Sequence, residues 1–240
     1  MKDETPSTIE GLTTKYLPYL QEIQKKLLIL VITIFVSGIF GFIFYQKILT
    51  FILSFFNFNG ISMVLTSPYQ FFDLAVNTGL ATGVVVAIPL LIYYILSFLK
   101  PALATEEYKQ ILQLVPVAIL LFALGFGFGI YVMQFVISIF SQTAVSFNVG
   151  NIWDISHFFS QTIIMGVCLG LIFELPVVIT ILIKLKLVKK QAIANNRRYI
   201  YAVLIIIAAF LPPNDIISLS ILTIVPLFLF ELALILNQSE

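Results

Sequence analysis

The chain has 240 residues, of which 60% are hydrophobic and only 10% are charged, with a formal net charge of +1. An average soluble chain is roughly 25% charged, and so little polarity cannot cover the surface of a soluble domain of this size. The near-zero net charge provides no basic field for nucleic acid. The single cysteine, Cys168, excludes an intramolecular disulfide and a cysteine-based zinc cluster. The composition therefore indicates a membrane protein.

Uncharged apolar runs long enough to cross a hydrocarbon core of roughly 30 Å recur along the whole chain. We expect an all-α integral membrane protein with a single polytopic domain over residues 1–240, in which residues 1–26 form a cytoplasmic tail and a short interfacial helix. Six spans are predicted, at about residues 27–45, 74–98, 111–135, 158–183, 199–211 and 216–236. The aromatic, turn-rich segment 48–73 is too irregular to cross.

The basic residues determine the expected topology. With six spans, every lysine and arginine except Lys47 lies in the N-terminal segment or in loops 100–109 and 184–198, on one face. The positive-inside rule places that face and both termini in the cytoplasm, or in the stroma of a plastid. The basic residues are nearly all lysine, and there are 23 phenylalanines. This bias of AT-rich genomes favours a plastid (chloroplast) thylakoid membrane, with the bacterial plasma membrane as the alternative.

Helices 5 and 6 are predicted to be short. The uncharged stretch from Arg198 to Asp215 reaches about 24 Å as a helix, and the stretch from Asp215 to Glu231 is no longer. Helices shorter than the hydrocarbon core must thin the bilayer or be shielded by their neighbours.

Enzyme signatures are missing from the sequence. Because His157 is the one histidine, no histidine pair can hold a metal, and no serine-hydrolase, zinc-protease or Walker-type motif occurs. We expect no catalytic residue, no metal and no cofactor.

Small residues at i, i+4 let membrane helices approach closely. Such glycine pairs recur at Gly79/Gly83, Gly125/Gly129 and Gly166/Gly170.

Glu174 interrupts predicted span 4. It lies about 15 Å along a helix from Lys184, near the middle of a bilayer, where a charge costs at least ~2.5–3.5 kcal/mol. The carboxyl group must therefore be neutral, face a wet cavity or pair with a polar group of a partner. Pro176 leaves the Ile172 carbonyl without its helical hydrogen bond. The two features predict a functional polar spot, against the alternative of an internal hydrogen bond that fixes packing.

Two further carboxylates lie on the basic face. Glu22 precedes span 1, and Glu107 lies in the first loop beside Glu106. Each is, taken alone, an ordinary solvated side chain. If Glu22 and Glu107 converge, they form an acidic site that suits a guanidinium group, which binds a carboxylate through two parallel hydrogen bonds.

Five motifs in chain order resemble the TatC family, the C-subunit of the twin-arginine protein translocase. They are YLQEIQKKL (19–27) with Glu22; FLKPALATEEYK (98–109) with Phe98, Pro101, Leu103 and Glu107; FELP (173–176) with Glu174 and Pro176; LPPNDIIS (211–218) with Pro212, Pro213 and Asp215; and an ending with Pro226, Phe230 and Glu231. Tyr19 and Gln24 stand where the family usually has histidine and arginine.

The resemblance implies a receptor for signal peptides with two adjacent arginines, which exports folded proteins using the proton motive force. It implies a cupped, glove-like arrangement of six helices and a structural turn at Pro212, Pro213 and Asp215. The residues implied in signal-peptide binding are Glu22, Phe98, Leu103 and Glu107.

Partners also follow from the resemblance. Glu174, with Pro176 beside it, is expected to meet a polar residue of a small single-span subunit of the TatA or TatB type. Other copies of the chain form a homo-oligomer within a receptor complex, the lipid bilayer surrounds it, and no nucleic acid is involved.

Two other functions stay open at this point. A proton-coupled solute transporter would use Glu174 as its proton carrier, although the internal repeat that many transporters have is not evident here. A purely structural membrane scaffold is the third possibility, against which the acidic residues Glu22 and Glu107 argue.

Overall fold

The computed structural model describes residues 8–58, 60–98, 105–211 and 216–237. Nearly all of this part of the chain is helical. The elements in chain order are α1 (Thr8–Ile43), α2 (Tyr45–Leu53), β1 (Ser62–Val64), α3 (Gln70–Phe98), α4 (Thr105–Leu112), α5 (Leu114–Ser146), β2 (Ile152–Asp154), α6 (Ile155–Phe173), α7 (Leu175–Lys184), α8 (Lys190–Asn195), α9 (Arg197–Ala209) and α10 (Ile216–Leu236).

Five helical stretches within the described residues are long and apolar enough to cross a membrane. They are Gln21–Ile43, Gln70–Ile95, Leu114–Ser146, Ile155–Lys184 and Ser218–Leu236. The chain is therefore an integral membrane protein with a mostly helical fold. The cupped arrangement of the helices and the side on which the termini lie stay predictions.

The predicted fifth span corresponds to α9. Its 13 residues rise about 20 Å, less than the hydrocarbon core, so a sixth complete crossing stays a prediction. In contrast, α10 has 21 residues and rises about 31 Å, an ordinary length for a crossing. The expectation of a short helix 6 is wrong. It counted only the uncharged stretch before Glu231, whereas α10 continues past that residue to Leu236. The Glu231 side chain is paired within the protein.

Three local elements differ from the sequence-based expectation. The interfacial segment and span 1 form one continuous helix, α1, which begins at Thr8. The segment 48–73 contains most of α2 and the strand β1. This strand pairs in parallel with β2, with Met63 opposite Trp153. Because the two partners are far apart in sequence and only three residues long, no local pattern indicates the pairing.

The crossing helices pack closely in two pairs at glycines. Between α1 and α3, a Cβ atom built on Gly79 would lie 2.8 Å from the Gly38 carbonyl oxygen. Between α5 and α6, a Cβ built on Gly129 would lie 2.6 Å from the Gly166 Cα. Real Cβ atoms do not approach backbone that closely, so both interfaces require the missing side chain, as the i, i+4 glycine pairs predicted.

Asp154 joins the strand pair to the two crossing helices α3 and α6. One carboxylate oxygen, Oδ1, accepts the His157 backbone N–H at 2.9 Å and caps α6. The other, Oδ2, accepts the Thr66 hydroxyl at 2.7 Å and the Gln70 amide at 2.6 Å. These bonds, led by the one from Thr66, lower the pKa of Asp154 to about 2 because they favour the charged form.

The glycine interface gives a test of packing. Gly129→Ala is expected to lower the free energy of unfolding by about 1–3 kcal/mol, because the new methyl group collides with the α6 backbone. Thermal unfolding in detergent measures the effect. Gly127→Ala is the matched control, since a Cβ there meets nothing within 4 Å. Equal unfolding midpoints for the two variants would contradict the packing described.

Asp154 predicts a pH dependence of stability. Its pKa is lower in the folded chain than the ordinary value of 3.8, so its stabilisation is complete above pH 4 and is lost as the pH falls toward 2. Asp154→Ala is expected to cost about 1 kcal/mol at pH 7 through loss of the helix cap. The difference between the unfolding midpoints of the two proteins should narrow as the pH falls from 7 to about 2; a constant difference would count against this role.

Candidate functional site

Glu22 lies on α1, at the start of the first stretch that is apolar enough to cross a membrane, Gln21–Ile43. Its side chain is 48% exposed, and its Oε1 atom is 2.7 Å from the Nζ atom of Lys26, one helical turn away. Lys26 is only 18% exposed, and its Nζ also donates to the hydroxyl of Ser97 on α3 at 3.4 Å. The ion pair therefore holds Glu22 beside the C-terminal end of α3.

The structure describes the other residues predicted for signal-peptide binding only in part. Phe98 ends α3 and Glu107 belongs to α4, but their side chains are not among those described. Leu103 lies outside the described residues altogether. Convergence of Glu22 and Glu107 thus stays a prediction. It is compatible with the fold, because the Lys26–Ser97 contact brings Glu22 to the residue preceding Phe98.

An apolar cavity of about 290 Å³ opens beside the ion pair, between α1 and α3. Lys26 forms part of its wall. The other lining residues are Ile23, Leu27, Leu30, Leu91, Tyr94 and Ile95. The sequence gives no sign of this cavity, because its walls come from two helices that are distant in the chain. The arrangement can hold a cationic group at Glu22 and apolar groups in the cavity next to it.

Glu174 lies at a break in predicted span 4, which consists of two helices. Its backbone N–H donates to the Leu171 carbonyl at 3.1 Å, a tightened final turn of α6, and its own carbonyl accepts from Val178 at 2.9 Å as α7 begins. Pro176 fits at the start of α7, where a missing N–H is tolerated. The break therefore has a local cause.

The side chain of Glu174 is 7% exposed. Its Oε1 atom is buried and has no hydrogen-bond partner among the described residues. Of the alternatives raised by the sequence, the internal hydrogen bond therefore finds no support at this oxygen. A buried carboxyl oxygen without a partner is unusual in a folded protein and calls for a donor that the described residues do not supply.

A polar connection that the sequence did not reveal ties α7 to the end of α10. The Thr180 hydroxyl donates to the Pro176 carbonyl at 2.7 Å. The Asn237 side-chain amide donates to the Thr180 hydroxyl at 2.9 Å and to the Ala233 carbonyl at 2.7 Å. This connection begins two residues from Glu174 and fixes the helix that follows it.

Glu231, in the last of the five motifs, joins α9 to α10. The Tyr201 hydroxyl donates to Glu231 Oε1, and the Arg197 guanidinium lies 3.5 Å from Oε2. Two side chains of α9 therefore satisfy this carboxylate. The predicted turn residues Pro212, Pro213 and Asp215 lie outside the described residues.

The family of the chain follows from comparison with known proteins. The family model for the Sec-independent protein translocase protein (TatC) matches residues 18–226, which include Glu22, Glu107 and Glu174. The chain belongs to the TatC family. It is therefore a component of Sec-independent protein translocation, in a family of translocase subunits rather than enzymes.

Individual relatives agree with this assignment. TatCy of Bacillus subtilis (strain 168) is 29% identical over 233 residues, covering 93% of this chain and 88% of the relative. TatC of Carboxydothermus hydrogenoformans is 29% identical over 221 residues, covering 90% and 89%. A crystal structure of the twin arginine translocase receptor TatC in DDM matches with a TM-score of 0.80 over 91% of this chain and 99% of that chain. Its identity of 23% shows the shared fold.

The TatC relatives named here are bacterial. The plastid thylakoid predicted from the lysine- and phenylalanine-rich composition therefore finds no support. An AT-rich genome produces this amino-acid composition in plastids and in many bacteria alike, so composition does not distinguish the two. Sequence relatives indicate descent and do distinguish them.

The two membrane carboxylates give a stability test. Glu174→Gln is expected to leave the unfolding midpoint in detergent unchanged or to raise it, because the wild-type Oε1 atom has no partner to lose. Glu231→Gln is expected to cost about 1 kcal/mol, because it weakens charge-assisted contacts to Tyr201 and Arg197. Equal losses in both variants would show that Glu174 is a structural residue.

Proposed function

We propose that this TatC-family chain is the signal-peptide receptor subunit of a twin-arginine translocase in a bacterial plasma membrane, with both termini in the cytoplasm. The observation that carries the proposal is Glu22, a half-exposed carboxylate held by a single lysine beside an apolar cavity. A carboxylate with a weak internal counter-ion can exchange that ion for a guanidinium of the signal peptide.

The exchange is favoured by geometry. An i, i+4 ion pair on a helix contributes only about 0.3–0.5 kcal/mol where its groups remain in contact with solvent, as the half-exposed Glu22 carboxylate does. A guanidinium binds both carboxylate oxygens at once and forms a stronger, directional contact, which an ammonium group cannot reproduce. Lys26 keeps the Ser97 hydroxyl as a partner when it is displaced, so the displacement costs little. In this way Glu22 selects arginine over lysine.

The second arginine is assigned to Glu107. Phe98 and Leu103, which precede Glu107 in the chain, are assigned to the same site. The cavity between α1 and α3 then accepts apolar side chains adjacent to the arginine pair. A peptide with two arginines and a neighbouring apolar segment satisfies both parts of the site.

Glu174 is assigned to assembly. Its unpartnered Oε1 atom accepts a hydrogen bond from a polar residue of a single-span TatA- or TatB-type subunit that packs against the α6–α7 break at Pro176. A buried acceptor gains most from such a bond, because water does not compete there. Further copies of the chain complete the receptor complex, which moves folded proteins using the proton motive force.

Signal-peptide binding tests the receptor function. Glu22→Gln and Glu107→Gln are each expected to weaken binding of an Arg-Arg signal peptide about tenfold, which is ~1.4 kcal/mol. Fluorescence anisotropy of a labelled peptide with the full chain in nanodiscs measures the affinity. A Lys-Lys peptide should bind wild type more weakly. Equal binding of the two peptides, or no loss in either variant, would refute the paired-carboxylate site.

A substitution at Lys26 is expected to change the affinity for the Arg-Arg peptide in the opposite direction. Lys26→Met is expected to tighten Arg-Arg binding about twofold, because it removes the internal competitor of ~0.5 kcal/mol. Lys25→Met is the matched control: it removes the same charge from an exposed neighbour, whereas Lys26 alone is paired with Glu22. A gain common to both variants would reflect net charge rather than release of Glu22.

A further inference from the structure

A cleft runs between α3 and α6 at the end of α3 opposite to Ser97. Its upper part, at the starts of the two helices, is a cavity of about 600 Å³. Its lower part is a cavity of about 360 Å³ farther along the same helices. Asn77 and Ser160 line both cavities, and the Asn77 amide donates to the Ser160 hydroxyl at 3.0 Å between them. The two cavities therefore adjoin each other along the helix pair, with Asn77 and Ser160 at their junction.

The lower cavity is apolar and opens toward the bilayer. Its walls include Leu80 and Val84 on α3 and Ile164 on α6, with Cys168 at its far end. Leu80 is 60% exposed and Ile164 is 48% exposed. From Ser160 to Cys168 the cavity follows about 12 Å of helix, most of the depth of one leaflet, whose hydrocarbon is about 15 Å thick.

The upper cavity is acidic. Asp73 and Asp154 line it; the hydrogen bonds to Asp154 keep it charged, and Asp73 is exposed without a side-chain partner among the described residues. His157 lines the same cavity; its Nε2 atom lies 2.9 Å from the Gln161 side-chain amide, which leaves Nδ1 for a ligand. Lysine and arginine are not among the described residues that line either cavity. The cleft is therefore negatively charged in its upper part, at the level of the lipid headgroups, and apolar in its lower part, at the level of the acyl chains.

We propose that this cleft binds one phospholipid whose headgroup carries a primary ammonium, as in phosphatidylethanolamine, with an acyl chain in the lower cavity. The ammonium group lies between Asp73 and Asp154 and donates hydrogen bonds to their carboxylates. The His157 ring faces the phosphate. A quaternary ammonium cannot donate such bonds, and an anionic headgroup is repelled by the two carboxylates. The site is separate from the Glu22 region and does not depend on signal-peptide binding.

Native mass spectrometry of the full chain in detergent tests the site. Phosphatidylethanolamine, phosphatidylcholine and phosphatidylglycerol with identical acyl chains are added in turn, and the 1:1 adducts are counted. We expect the ethanolamine lipid to be retained about five- to tenfold better than the glycerol lipid, with the choline lipid also weaker. Asp73→Asn should reduce the ethanolamine preference to about twofold, and Asp73→Glu should restore it.

The acyl-chain part is tested by filling the cavity. Ile164→Trp is expected to reduce ethanolamine-lipid retention at least fivefold. Leu171→Trp is its matched control, because Leu171 is equally exposed, at 49%, on the same helix but is not a lining residue. Val84→Trp fills the cavity from α3 and serves if Ile164→Trp does not fold.

Three results would overturn the proposal. They are equal retention of the three lipids, an unchanged preference in Asp73→Asn, and equal retention by the cavity-filling variants and Leu171→Trp. Any of them would rule out a site that selects a phospholipid with a primary ammonium headgroup.

Discussion

The close approach of helix backbones at glycines is the constraint on which the described structure depends. Gly79 sets the distance between α1 and α3, and Gly129 sets the distance between α5 and α6. In a bilayer, helix association gains little from apolar burial, since lipid is as apolar as the side chains, and it relies on packing instead. The α1–α3 contact also places Lys26 beside Ser97, so the position of Glu22 follows from glycine packing farther along the same helices.

The glutamates Glu22, Glu174 and Glu231 differ in the partners that their carboxylates have. Glu22 is half exposed and has one lysine, Glu231 is shared by two partners on α9, and Glu174 has a buried oxygen without a partner. A satisfied carboxylate stabilises the chain itself, whereas an unsatisfied one is costly unless another molecule supplies the donor. This contrast separates a residue that holds two helices together from residues proposed to bind a peptide or a subunit.

The α3–α6 helix pair has different chemistry at its two ends. At one end, Ser97 precedes the segment that leads to α4 and Glu107. At the other, both helices line the two cavities of the cleft, which meet at the Asn77–Ser160 hydrogen bond. A lipid held there would fill space that neither helix can close, because both helices are already committed to their glycine-packed partners. Membership of the TatC family favours a translocase over the proton-coupled solute transporter that the sequence left open.

Hydropathy, charge and motif order in the sequence alone determined the membrane class, the approximate helix positions, the close-packing glycines and the TatC resemblance. These are local properties, because a crossing helix satisfies its own backbone and must be apolar along its length. Only the tertiary structure decided the partner of Lys26, the cavity beside it, the β1–β2 pairing, the Thr180–Asn237 connection and the cleft. Each of these joins segments far apart in the chain, and their distances depend on how helices pack, which composition does not encode.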